Sequence, residues 1–168
     1  MNSLIKIVLN IIPRTILTRL SFLLKPLIKI YLFGNKYTDP IDGSSFRKFL
    51  PYGYNNVREN ALSPSTYSLE RHRLLWLYLK NETEFFNKNI KVLHFAPEAA
   101  FLEKLKKLNN ISYNTIDLDS PLADIKADIC DLPFEDESYD FILCNHVLEH
   151  IIDDTKAMQE LYLSLIHI

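Results

Sequence analysis

Lys91-Val-Leu-His-Phe-Ala-Pro-Glu-Ala-Ala100, followed by Tyr113-Asn-Thr-Ile-Asp-Leu-Asp-Ser-Pro121, is the stretch that decides the fold. An apolar run from Val92 to Ala96 turns at Pro97 into an amphipathic segment, and a second run ends in a carboxylate, Asp117. Strand, tight turn, helix, strand and acidic residue make the layout of a nucleoside-binding βαβ unit, whose terminal acid accepts hydrogen bonds from ribose hydroxyls. The glycines of the dinucleotide version are missing, and Glu98 stands in the turn. A pyrophosphate needs bare backbone N–H groups and no negative neighbour. Glu98 repels such a group but suits a ligand carrying a positive sulfonium and ammonium, which points away from NAD and towards S-adenosylmethionine.

Outward from this core the pattern continues. The segment after Pro97 sets Phe101, Leu102, Leu105 and Leu108 on one face and Glu103, Lys104, Lys106 and Lys107 on the other. The first strand is expected at about 91–95, the second at 111–116 and a short third at 125–129. Asp131-Leu-Pro-Phe-Glu-Asp-Glu-Ser is a polar turn into Tyr139-Asp-Phe-Ile-Leu-Cys-Asn145, a continuous apolar strand of the kind buried in parallel sheets. Asn145-His-Val-Leu-Glu-His150 follows at the carboxyl end of that strand, where open α/β sheets place ligands. Helix signals resume at Asp153.

The stretches "VLHFAPE", "TIDLDSP" and "ADICDLPFEDESYDFILCNHVLEHI" resemble a class I S-adenosylmethionine-dependent methyltransferase, close to the broad methyltransferase-domain-11 group. The likeness covers roughly Asn89 to Leu165. "FRKFLPYGY" and "SLERHRLLWLYL" resemble the N-terminal region of a bacterial subset of these proteins. The resemblance implies an α/β fold with a Rossmann-like parallel sheet, of which this chain carries the N-terminal half. It also implies site roles. Turn residues His94, Phe95, Ala96 and Glu98 line the methionine end of S-adenosyl-L-methionine, and Asp117 with Leu118 holds the ribose. Asp128 with Ile129 meets the adenine edge, and Asn145 with His146 stands near the sulfonium. His94 replaces the usual acid, and Ala96-x-Glu98-x-Ala100 replaces Gly-x-Gly-x-Gly.

Methyl transfer of this kind rests mostly on positioning, with a base needed only for a hydroxyl acceptor. His146 and His150 are the nearby imidazoles. They can touch substrate, or merely support the pocket wall and the following helix, so no catalytic residue is assigned. The acceptor class stays open among small molecules, lipids and glycans. An alternative reading is a membrane-associated nucleoside-binding or interaction module without turnover; a nucleotide-sugar or NAD enzyme is disfavoured by Glu98. Such domains normally continue past Glu160-Leu-Tyr. The tail Leu163 to Ile168 resembles translated sequencing-adapter read-through, so the chain is expected to be truncated and inactive as it stands, with Asp140–Asn145 left as an apolar sheet edge.

The 168 residues suffice for one cored domain. The formal net charge of -2 hides an asymmetry: residues 1–38 contain Lys6, Arg14, Arg19, Lys25, Lys29 and Lys36 and no acid. The body is therefore acidic, which argues against nucleic acid as a partner. Cys130 and Cys144 read as free buried thiols of a reducing compartment.

Residues 1–36 form a basic, Ile- and Leu-rich segment that Pro13 and Pro26 divide into short helices. Its uncharged runs are far shorter than the roughly 20 residues of a spanning helix. It suits an anionic membrane surface, giving a cytoplasmic protein peripheral on the inner membrane face; packing on the protein's own body is the alternative. Residues 37–67 form a degenerate zinc-ribbon-like region. Asp39-Pro-Ile-Asp42 and Ser63-Pro-Ser-Thr66 repeat an x-Pro-x-x shape with no thiolate or imidazole, so no metal is expected and side-chain hydrogen bonds hold the turns. Residues 68–88 form a linking helix, capped by Ser68 and largely buried, and residues 89–168 the partial methyltransferase domain. Arg71, His72 and Arg73 near the start of that helix can meet an anionic substrate group or pair with acids of the body.

Overall fold

A computed structural model describes residues 14–53 and 56–166. The chain divides into two compact units, Met1–Glu70 and Arg71–Ile168, rather than folding around one core. The part of the basic N-terminal segment before Arg14 lies outside the described residues.

The first unit opens with helix α1 (Arg14–Leu32), which runs through Pro26 without a break. Pro26 was expected to end a helix. A proline removes one backbone N–H, and tertiary packing outweighs that loss when the following turn is anchored. Here Leu32 is buried with Phe46 and Phe49, and Ile28 packs on the same cluster. Strands β1 (Phe33–Thr38) and β2 (Ser45–Phe46) pair antiparallel, as do β3 (Leu50–Tyr52) and β4 (Arg58–Leu62). Gly34 is required where β1 meets β2, because a Cβ there would lie 2.6 Å from the backbone nitrogen of Arg47.

The two x-Pro-x-x turns are joined by hydrogen bonds. Asp39 is fully buried; its Oδ1 accepts the amide of Ile41 at 2.9 Å, and its Oδ2 accepts Thr66 Oγ1 at 2.5 Å and Ser68 Oγ at 3.2 Å. Asp42 Oδ1 accepts the Ser44 amide and the hydroxyl of Ser65. A buried carboxylate is tolerated when such donors replace its water.

The second unit is an α/β layer structure. Helix α2 (Glu70–Glu82) buries His72, Trp76 and Leu79, one narrow stripe at helical spacing, while Leu74, Leu77 and Tyr78 are exposed. The expectation of a largely buried helix is corrected: its apolar residues are spread around the axis, and only one face is buried, with His72 and Trp76 against Phe101. Strands β5 (Ile90–Phe95), β6 (Ile111–Asp117), β7 (Ile125–Lys126) and β8 (Phe141–Cys144) form a parallel sheet in the order β7-β6-β5-β8. Helix α3 (Ala99–Leu105) connects β5 to β6 and buries Ala100, Phe101 and Leu105. A short 3-10 turn (Leu148–His150) precedes helix α4 (Asp154–Ser164), whose N-cap Asp153 accepts the Lys156 amide.

Central strand β5 is covered on both faces, which is why it reads as an unbroken apolar run. Leu93 and Phe95 pack with Ile116, Ile129, Tyr139 and Ala157. Alternation sends Val92 and His94 to the opposite side, where Phe101 stacks on Trp76 at 6.2 Å between ring centroids. Strand β8 is the sheet's outer member, and the residues after α4 return to its start: Ser138 and Tyr139 donate to the Ser164 carbonyl, and Ile166 donates to Tyr139. The tail through Ile166 is thus bonded to the segment that leads into β8. No described helix is long and apolar enough to cross a membrane. Both cysteines are free thiols, half-buried rather than buried.

Candidate functional site

Two adjoining cavities open at the carboxyl ends of β5, β6 and β8, and His146 lines both. The first, of about 240 Å³, is walled by Phe95, Ile116, Ile129, Val147 and Ile151, with Asp117 and Asp128 among its polar groups. Ala96, Leu118 and His150 complete that wall. An apolar slot with a few aimed carboxylates is the chemistry of a nucleoside site.

Asp117 owes its position to β6 and to its own turn. Its Oδ1 accepts the amides of Asp119 at 2.9 Å and Ser120 at 2.7 Å. Among the described residues nothing donates to Oδ2, so one carboxylate oxygen is held and the other is available to a ligand hydroxyl. Asp128 is arranged similarly, with Oδ1 accepting the Cys130 amide at 2.8 Å.

The second cavity, of about 270 Å³, is lined by Arg71, His72, Leu75, Glu98, Cys144 and Asn145 beside His146. Of the residues expected at the cofactor, Phe95, Ala96, Asp117, Leu118, Asp128, Ile129 and His146 therefore meet in one cavity. Glu98 and Asn145 stand in the other. His94 stands in neither. It is fully buried, with Nδ1 2.6 Å from the hydroxyl of Tyr113 and Nε2 2.8 Å from Glu98 Oε2. This corrects its expected place on the methionine wall, because alternation along β5 points His94 into the α3 face, against Phe101. With a proton on Nε2, the ring donates to Glu98 and accepts the Tyr113 O–H, which uses both ring nitrogens.

Glu98 is the junction of this network. Burial disfavours its charge, but the His94 hydrogen bond, the neighbouring imidazoles and the Asn145 side chain outweigh that, and its pKa falls below the ordinary value. His72, with Nε2 3.8 Å from Glu98 Oε1, is held below the usual imidazole value by burial first. Arg71, Arg73 and His146 push in the same direction against the pull of Glu98. The turn thus carries a carboxylate among aromatic and imidazole rings, with Arg71 on the same cavity. Burial also raises the Cys144 thiol, to about 11, which keeps it from acting as a nucleophile.

Backbone strain marks the same place. Ala96 at φ 47° and His146 at φ 56° both adopt the left-handed conformation that favours glycine. Ala96 occupies the first glycine position of the usual turn, and its amide donates to the Ile116 carbonyl. Sequence reasoning missed Val147, Ile151 and Leu75 as lining residues; their apolar character gave no signal beyond core. It did single out Arg71 and His72, and the structure puts both on the second cavity.

No curated protein matches the sequence. A family described as a methyltransferase domain matches residues 79–166, which takes in the end of α2, the whole parallel sheet and α4. That match spans more than half of the chain and takes in every residue that lines the first cavity, whereas Arg71, His72 and Leu75 of the second cavity lie before it. The chain belongs to this methyltransferase-domain family, which is generally S-adenosylmethionine-dependent.

Proposed function

We propose that the chain binds S-adenosyl-L-methionine across the two cavities and serves methyl transfer to a small-molecule, lipid or glycan acceptor. The observation that carries this reading is Asp117, a lining residue of the first cavity whose Oδ1 is fixed by its own turn. The residues fit the ligand. Asp117 suits a ribose diol, Asp128 and Ile129 an adenine edge, and Phe95 and Ala96 the approach to the methionine end. Glu98 and Asn145 offer a negative, hydrogen-bonding wall to an ammonium group, as a phosphate-bearing ligand could not use. The cofactor supplies an activated methyl group on a sulfonium centre. The protein's part is to orient, exclude water and present the acceptor, which by itself supplies much of the rate.

A binding module without turnover is the second reading, favoured by Glu98 being tied to His94 in the turn that is normally glycine. Titration calorimetry with S-adenosylhomocysteine, NAD and a nucleotide sugar tests the site, and methyl release from labelled cofactor separates the two readings. Saturable binding of S-adenosylhomocysteine alone is the expected result; a preference for either pyrophosphate ligand overturns it. The chain is further proposed to work on the cytoplasmic side, peripheral to the inner membrane face, a placement supported by its basic, acid-free N-terminal segment.

A further inference from the structure

The solvent side of α1 is apolar. Leu23, Leu27, Ile30 and Tyr31 recur at helical spacing, and with Phe33 just past the helix end they are each between 63% and 77% exposed. A surface helix of a water-soluble unit presents polar residues outward. Here the inward face is already satisfied by Leu32 and Ile28 on Phe46 and Phe49, so the outer stripe is surplus to the core.

Cations rim the stripe. The Arg47 guanidinium lies over the Tyr31 ring, 4.5 Å from its centroid, and Lys29 borders an open groove of about 420 Å³ with Ile30, Phe33, Phe46, Ser44 and Ser45. No acid occurs between Leu23 and Thr38. The nearest in sequence, Asp39 and Asp42, are consumed by the hydrogen bonds of their turns. An apolar strip with an unopposed basic margin has the complement of an anionic lipid surface: acyl chains against the strip, phosphates against the margin.

We infer that Leu23, Leu27, Ile30, Tyr31 and Phe33, flanked by Lys29 and Arg47, form the face on which this protein docks to an anionic bilayer, with the groove beside Phe46 receiving a lipid chain. This rests on the peripheral placement proposed above and gives it a surface. It does not depend on the cofactor cavities, which belong to the other compact unit.

The test is flotation of the 168-residue protein with phosphatidylcholine vesicles containing about 30% phosphatidylglycerol, against pure phosphatidylcholine, at low and high salt. Binding to the anionic vesicles is expected, falling as salt rises because exposed charges are screened within about 8–10 Å. Ile30→Glu with Phe33→Glu, and separately Lys29→Glu with Arg47→Glu, should each weaken partitioning at least tenfold. These positions lie outside the buried cluster, and circular dichroism reports whether each variant is folded. S-adenosylhomocysteine binding, followed in parallel, should stay at the parent value, so failure of docking and failure of the nucleoside site are told apart. Unchanged flotation of both folded double variants overturns the inference. So does a concentration-dependent dimer that masks the stripe while the vesicles stay empty, since a second copy would then be its occupant.

Discussion

Replacing Asp117 separates two jobs that one carboxylate performs. Asp117→Ala deletes Oδ1, which holds the amides of Asp119 and Ser120, and Oδ2, the oxygen proposed to meet the ribose in the cavity that Asp117 lines. The turn amides are partly solvated and can turn to water, so their loss should lower unfolding free energy by about 1–2 kcal/mol. Loss of Oδ2 should weaken S-adenosylhomocysteine by about 1.5–3 kcal/mol, the scale of a hydrogen bond to a charged acceptor. At about 1.4 kcal/mol per decade that is roughly a 10- to 140-fold rise in Kd. Asp117→Asn keeps an oxygen for the turn and replaces the other with an amide that cannot accept. Its stability should stay within about 0.5 kcal/mol of the parent while its affinity falls about tenfold or more. Urea unfolding gives the first quantity and calorimetry the second. If Asp117→Asn binds as tightly as the parent while Asp117→Ala does not, the carboxylate acts through the loop and not on the ribose. The assignment then fails.

Ala96 sits at φ 47°, where a side chain costs about 1–2 kcal/mol and glycine does not, although glycine adds unfolded-state freedom worth about 0.5–1 kcal/mol. Ala96→Gly should therefore raise the urea midpoint, by roughly 0.5–1 kcal/mol in stability, and an unchanged or lower midpoint would show that the turn is not strained. Asp39→Ala strips one buried carboxylate from Ile41, Thr66 and Ser68 and leaves donors unmet on both turns, so it should cost at least about 3 kcal/mol. A loss below 1 kcal/mol would mean the two turns are held by something else. His72, held below the usual imidazole value by burial, takes up a proton more readily once unfolded, and Glu98, held low, does likewise. Both signs agree: the unfolded chain binds more protons, so stability falls as pH drops below about 6.5 for His72 and further below about 4.5 for Glu98. His72→Phe should flatten the limb nearest neutrality; an equally steep limb in that variant would assign the protons elsewhere.

The second unit was legible where one face of an element had a single task. Strand β5 read correctly because burial on both faces leaves Val92 to Phe95 without an exposed position, and the carboxylate closing β6 is placed by that strand's own length. Strand β7 was over-read as 125–129, since only Ile125 and Lys126 pair. The reason is local: the Ala127 amide goes to the Asp117 carbonyl and Asp128 draws the Cys130 amide into a turn, so the chain leaves the sheet edge where hydropathy continues. Helix α1 was broken too early at Pro26 because the sequence shows the missing N–H but not the cluster of Leu32, Phe46 and Phe49 that holds the next turn.

The site followed the same division. Glu98 announced itself as a charge in a turn that should be bare, but its direction depended on partners far along the chain. Parallel pairing sets Val92 against Tyr113 and His94 against Thr115, and that register lets the Tyr113 hydroxyl reach His94 while Glu98, in the turn four residues on, closes the other side of the ring. A histidine in the acid's place and a glutamate in the glycine's place look like two separate departures in a linear reading, with nothing to tie either to Tyr113 on the neighbouring strand. Folded, they are one compensated group: each change supplies the hydrogen bond another requires. The loss of the usual glycines is therefore not by itself evidence that the nucleoside site has decayed. The cavity that carries Asp117 and Asp128 lies on the opposite face of β5 from this cluster, and its walls owe nothing to the identity of His94.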